Sequence, residues 1–320
     1  TMSSHSDNTI SNAGSESPAA TLSTGHNTKS SLKIWIDGDF VAHENAVISV
    51  FDHGLPYGDG CFEGIRVYSG RIFKLRTHLE RMFRSAELLR LKSPYTIDEI
   101  ESACREAVAV NQVANGYIRL VFTRGVGGLG LNPFLCDKPT VFIISDSIQL
   151  YPAEMYKTGL RVVMAERRRF PINCLDPSIK SLNYLNNIMA KVEAIDQGVL
   201  EAIMLNNDGH ISEGTGDNIF IVKDKAIFTP STEAGILHGI TRQYVMEELA
   251  PAIGSKVEER MMYPQHILEA DEVFLTGTAC EIIGVTHLDD QEIGTGQVGP
   301  ITKALEAEFR SRVENDAPED

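Results

Sequence analysis

The stretch PSIKSLNYLNNIMAKVEA, residues 177–194, sets a lysine ahead of apolar residues at helical spacing. Leu182, Leu185, Met189 and Val192 recur at three or four, which predicts a helix that begins at or just after Ser181. A cation at a helix start opposes the partial positive charge there, and this favours the neutral amine that attacks a carbonyl carbon. A lysine at a helix end is more often a solvated side chain, so Lys180 acquires meaning only through what accompanies it. Glu213, in ISEGTGDNIF, falls in a glycine-rich turn between two strands, where a carboxylate can be held against a nitrogen base. HGITRQ, residues 238–243, offers Ile240 and Thr241 at a helix N-terminus, where free N–H groups and a hydroxyl suit a phosphate. LTGTAC, residues 275–280, places Gly277, Thr278 and Ala279 at a strand end with N–H groups for another anion. A lysine, a carboxylate and phosphate-binding turns are the parts that position pyridoxal phosphate, whose ring serves as an electron sink.

The elements that must hold these residues read as alternating strands and helices, an α/β (α+β) chain. KIWIDGDFV and GIRVYSGRIFKL are hairpins around Asp37-Gly38 and Ser69-Gly70. THLERMFRSAELLRL carries Leu79, Met82, Phe83, Ala86 and Leu89 on one helical stripe, and Thr96-x-x-Glu99 is a capping box for a second helix. GYIRLVFTRG and KPTVFIISDSI are strands. These form a small domain over residues 32–150, and 151–158, without apolar period, is expected to be an interdomain linker. Residues 159–320 form a larger domain with the strand LRVVMAE, the Lys180 segment, hairpins EAIMLNNDGHISE and NIFIVKDKAIFTP, the helix ITRQYVMEEL, the strand EVFLTGT and a last helix near 300–314. Residues 1–31, rich in Ser, Thr, Asn and Gly, are expected to be a disordered tail.

Composition narrows the function. The 320 residues are 42% hydrophobic with a net charge of −15, which disfavours nucleic acid and anionic membranes and leaves small molecules as partners. Five cysteines without a CxxC pair suit a reducing compartment, and no apolar run reaches the roughly 20 residues of a membrane span. With no secretion core in the tail, and with acids but no arginine there, the cytoplasm is expected. Nine scattered histidines form no ligand pair, so no metal is expected. GVGGLG, residues 125–130, satisfies the G-x-G-x-x-G of dinucleotide sites, but LNPFLCDKP follows where a helix would have to begin. A NAD-dependent oxidoreductase is therefore a remote alternative.

From about residue 33 to 314 the chain resembles the fold-type IV pyridoxal phosphate enzymes and, within them, the branched-chain amino-acid aminotransferases. YGDGCFEGIRVY (57–68), HLER (78–81), YIR (117–119), IKSLNYL (179–185), EGTGDN (213–218), GIT (239–241) and TGTA (276–279) carry the resemblance, in the family's order. It implies two mixed α/β domains with the cofactor between them and Lys180 as the Schiff-base lysine. Tyr184 would meet the ring phenolate oxygen, and Glu213 would pair with the ring nitrogen. Arg81, Ile240, Thr241 and Thr278 would hold the phosphate, with Gly216 shaping the turn beside the ring. Tyr57, Phe62, Tyr117 and Arg119 match residues of the substrate pocket, Arg66 matches a substrate-side position, and Thr278 and Ala279 would lie near the substrate carboxylate. Either Arg66 or Arg119 would receive the distal carboxylate of glutamate. The implied reaction is transamination from leucine, isoleucine or valine to 2-oxoglutarate in a homodimer, with D-amino-acid or amine transamination as the alternative in the same fold.

Overall fold

Turn dipeptides set the first strands, because Asp37 (φ 49°) and Gly38 (φ 107°) take the left-handed conformations that reverse a chain in two residues. In the computed structural model, which describes residues 32–148 and 151–316, β1 (Lys33–Ile36) folds back on β2 (Asp39–Ala42) through this turn. The tail expected over residues 1–31 lies outside the described residues. A short helix α1 (Gly54–Tyr57) leads into β3 (Gly60–Tyr68), which turns at Ser69-Gly70 into β4 (Arg71–Ile72). With β5 (Gly116–Thr123) and β6 (Thr140–Asp146) they form a six-stranded sheet in the order β2-β1-β6-β5-β3-β4. Helices α2 (Leu75–Leu88) and α3 (Ile97–Val110) cover one face, and the expected Thr96–Glu99 capping box opens α3. Leu75, Leu79 and Met82 pack there against Ile65, Val67, Ile118 and Phe122, each buried side chain contributing about 1.5–3 kcal/mol. Alternation on β3 sends Cys61, Glu63, Ile65 and Val67 to the helices, and leaves Phe62, Gly64, Arg66 and Tyr68 facing away from them.

The second sheet contains β7 (Leu160–Arg168), β8 (Glu201–Leu205), β9 (Ile211–Gly214), β10 (Asn218–Lys223), β11 (Ala226–Pro230), β12 (Val257–Arg260), β13 (Glu272–Gly277), β14 (Glu281–Leu288) and β15 (Gln291–Glu292). Its order is β12-β11-β10-β13-β14-β7-β8-β9, with β15 on β14. The helices of this unit are α4 (Ala153–Thr158), α5 (Leu185–Asp196), α6 (Ile240–Tyr244), α7 (Ala250–Ala252), α8 (Pro264–Leu268) and α9 (Pro300–Asp316), and a π turn, Val245–Leu249, joins α6 to α7. Phe220 stacks on Phe274 at 4.8 Å on the face covered by α6 and α9. Ile219, Ile221, Val273 and Leu275 face the opposite core, where Tyr156 and Ile267 pack. The chain is thus a mixed α/β structure, as expected, with two sheets.

Two local expectations are overturned. The helix after Lys180 begins at Leu185, because residues 180–182 bond instead to the start of β3. Phe62 N–H donates to Lys180 O at 3.0 Å, and Leu182 N–H to Gly60 O at 2.9 Å, so this backbone is satisfied outside a helix. The helix-dipole argument for Lys180 therefore does not hold. Nor is the apolar stripe the buried face of α5: Leu185 and Val192 are exposed, while Ala190 and Ala194 sit on Ala165, Ala202 and Met204, where small side chains permit close approach. The segment expected as a linker carries α4, whose Tyr156 is buried against the second core.

Candidate active site

Lys180 is held from its backbone outward. Its peptide is fixed to β3, its N–H donates to Ser85 Oγ at 3.3 Å, and its Nζ donates to Tyr184 Oη at 3.1 Å. Its Nζ lies 4.7 Å from the centroid of Phe62, whose ring also meets Tyr184 edge-on at 4.9 Å and the Arg119 guanidinium at 4.6 Å. These contacts aim Nζ into a cavity of about 90 Å³ between the two sheets. Among the expected site residues, Arg81, Tyr117, Lys180, Gly216, Thr241, Thr278 and Ala279 line it together. Ile240, buried at the start of α6, precedes Thr241.

Arg81 reaches the cavity from α2 in a fixed pose. Glu63 accepts from its Nε at 2.7 Å and its Nη2 at 2.8 Å, His238 O accepts from Nη1 at 2.8 Å, and His78 Nδ1 lies 2.8 Å from Glu63 Oε2. Burial opposes the charge on Glu63, but Arg81 and His78 overcome it and hold the carboxyl well below the usual carboxylate range. Bidentate pairing orients the guanidinium while leaving N–H groups free for a ligand.

Glu213, on β9, is buried behind the cavity. It accepts from Arg169 Nη2 at 2.9 Å, Leu237 N–H at 3.0 Å and Asn218 Nδ2 at 3.2 Å, and Leu237 and Asn218 themselves line the cavity. Burial pushes the Glu213 carboxyl above its ordinary value, against the pull of Arg169 and the Leu237 N–H. Arg169 in turn donates to Asn187 Oδ1 at 2.7 Å, which ties β7 to α5. Asp217, in the turn after β9, accepts from Cys280 Sγ at 3.1 Å, and burial, then Glu201, raises its carboxyl to about 7.

The cavity wall is built from glycine where space runs out. A Cβ on Gly64 would stand 1.6 Å from Tyr117 Oη, and one on Gly277 would stand 2.2 Å from Asp217 Oδ1. One hydroxyl in this wall, Thr276 Oγ1, is buried without a hydrogen-bond partner among the described residues. A guanidinium, threonine hydroxyls and an unsatisfied donor facing a lysine amine fit a phosphate-bearing aldehyde.

Tyr57 and Arg66 lie apart from this cavity. Tyr57 donates to Leu129 O and packs edge-on to His53, and Arg66 pairs with Glu281 at 3.3 Å, where Tyr68 Oη also donates. Phe62 and Arg119 flank the Lys180 amine. Glu63, Arg169 and Asp217 were not singled out by the sequence. Glu63 had a signal, a carboxylate in phase with Cys61, Ile65 and Val67, whereas nothing distinguished Arg169 within the run Arg167–Arg169. After GVGGLG the next regular piece is a single 3-10 turn, Pro133–Leu135, and not the helix a dinucleotide would need.

The two sheets, with a tyrosine-linked lysine in the cavity between them, define a fold-type IV pyridoxal phosphate enzyme. Residues 60–288 match the family model described as amino-transferase class IV, and the chain belongs to that family. A Methanocaldococcus jannaschii protein provisionally named branched-chain-amino-acid aminotransferase is 46% identical over 87% of this chain and 96% of its own. D-alanine aminotransferase of Bacillus licheniformis is 33% identical over 88% and 97% of the two chains. The crystal structure of a T.th. branched-chain amino acid aminotransferase with pyridoxamine 5'-phosphate superposes with a TM-score of 0.86 at 35% identity, covering 90% of this chain and 95% of that one.

Proposed function

We propose that this protein is a transaminase that moves the amino group of leucine, isoleucine or valine to 2-oxoglutarate, with Lys180 as covalent anchor and proton carrier. The observation that carries the proposal is the placement of Lys180 Nζ 3.1 Å from Tyr184 Oη at a cavity shared with Arg81, Thr241 and Thr278. Pyridoxal phosphate, when bound, supplies an aldehyde for the substrate amine and a ring that accepts the electrons left on Cα. In this reading Arg81, Thr241, Thr278 and the Ile240 N–H hold the phosphate. Glu213 keeps a proton on the ring nitrogen, and Tyr184 meets the phenolate oxygen. The Lys180 amine takes the proton from Cα and returns it at C4′, and general acid–base transfer of this kind contributes about 10²–10⁴ in rate.

Substrate choice draws support from a mainly apolar cleft of about 660 Å³ that meets the cavity at Tyr117 and Ala279. Ile34, Ile36, Phe142 and Ile144 line it, which suits a branched aliphatic side chain, and Arg119 at its wall suits the distal carboxylate of 2-oxoglutarate. Arg66, committed to Glu281, is the weaker candidate for that carboxylate. The likeness to D-alanine aminotransferase favours a second reading with D-amino donors.

We also infer a homodimer in the cytoplasm. Exposed Phe51, Leu55 and Leu129 lie where residues 51–57 bond to the 123–129 loop, an apolar surface of the sort that associates. Tyr57 lies in that surface, so its expected substrate role would be exercised across the interface. Among the described residues no helix is long and apolar enough to cross a membrane. Purified protein should show visible cofactor absorbance that L-leucine discharges and 2-oxoglutarate restores. A protein indifferent to L- and D-donors alike would end the transaminase reading, and sedimentation at the monomer mass would end the dimer.

A further inference from the structure

Thr276 is 1% exposed near the end of β13, and its Oγ1 has no hydrogen-bond partner among the described residues. Its cross-strand partners are Asn218 on β10 and Ile282 on β14. This register puts its side chain on the face of Phe220, Phe274 and Ile282, the face that α6 covers. It lines the cavity with Arg81, Gly239, Thr241, Gly277 and Thr278. The cross-strand Asn218 turns its amide nitrogen to Glu213 and Leu237 O. Valine has nearly the same shape and would fill this site without a buried donor to satisfy, so a threonine here costs the empty protein stability. Such a cost is tolerated where a ligand completes the bond.

We propose that Thr276 Oγ1 donates a hydrogen bond to a phosphate group bound in this cavity, beside Arg81, Thr241 and Thr278. The proposal rests on the reading that the cavity takes the phosphate end of the cofactor. It makes opposite demands on the empty and the loaded protein. Without ligand, Thr276→Val removes an unsatisfied group, whereas with ligand it removes a hydrogen bond to a charged acceptor.

The test compares wild type, Thr276→Val and Thr276→Ser as apoproteins. Thermal melting is followed without ligand, and isothermal titration calorimetry measures binding of inorganic phosphate and of pyridoxal phosphate. Expected are a melting temperature for Thr276→Val equal to or above wild type, with affinity for both ligands weakened about tenfold or more, and wild-type affinity in Thr276→Ser. Equal affinity in wild type and the valine variant overturns the proposal. So does a valine variant that melts lower or does not fold, since the hydroxyl would then serve the structure itself. A wild-type apoprotein that binds neither ligand removes the phosphate reading of the cavity, and the role of Thr276 with it.

Discussion

Arg169 and Glu213 form an ion pair at 2.9 Å in which both side chains are nearly buried, 9% and 6% exposed. Burial raises the Glu213 carboxyl above its ordinary value, and Arg169 is the largest force against that. The proton on a ring nitrogen is retained by a carboxylate, not by a carboxylic acid, so Arg169 supports the expected work of Glu213 by favouring its charged form.

Arg169→Leu should therefore destabilise the apoprotein by about 3 kcal/mol, the usual cost of stranding one member of a buried pair. The Glu213 carboxyl, already raised by burial, rises further without its partner. A raised acid binds more protons folded than unfolded, so stability falls as pH climbs past the ordinary glutamate range. Chemical denaturation across pH should show the deficit of Arg169→Leu growing toward neutrality, and a deficit independent of pH would contradict the coupling.

Lys180→Ala should leave the fold intact, because the bonds that fix this segment to β3 come from its backbone. Turnover should drop by about 10⁴ or more with the loss of both nucleophile and proton carrier. Borohydride treatment of wild type should attach the cofactor to the peptide containing Lys180, as read by mass spectrometry. Attachment to another lysine would move the chemistry elsewhere.

Glu63→Gln tests the holder of Arg81. Burial works against the Glu63 charge, yet Arg81 and His78 depress the carboxyl, so it stabilises the fold fully above the unfolded carboxylate range and loses that contribution as pH falls through and below it. The amide should cost about 3 kcal/mol at neutral pH and weaken cofactor binding by freeing the guanidinium. Denaturation and cofactor titration read the two effects separately, and an unchanged affinity would mean that Arg81 needs no holder.

Asp217→Asn addresses the acid beside Cys280. With its carboxyl raised to about 7, by burial first and then Glu201, Asp217 penalises the fold increasingly as pH rises from the ordinary aspartate range toward neutrality. The asparagine variant should flatten the decline in apoprotein melting temperature between the ordinary aspartate range and about pH 7. A wild-type slope retained in the variant would assign that decline to other groups.

Much of the fold is legible because its signals are local. Asp37-Gly38 and Ser69-Gly70 fix their hairpins within four residues, and Thr96 with Glu99 starts α3 from three residues away. The Lys180 segment misleads because its non-helical form depends on Gly60 and Phe62, more than a hundred residues earlier, and those bonds override a helical period. The stripe on α5 misleads for a second reason: alanines packed on alanines make a tighter face than leucines would. The site is legible in its glycine-rich and threonine-rich turns, where the chemistry is written in adjacent residues. It is illegible in Glu63 and Arg169, whose value comes from partners 18 and 44 positions away.

The two backbone bonds between β3 and residues 180–182 give Lys180 a double allegiance. Its chain runs on into the second sheet's helix, but its position is dictated by the first sheet, while Glu213 and Thr241 belong wholly to the second. The reacting amine and Arg81 thus stand on one bank of a seam, with Glu213 and Thr241 on the other. Amide exchange at Phe62 and Leu182 is the gauge of that seam, slow when the banks are locked and fast when they part.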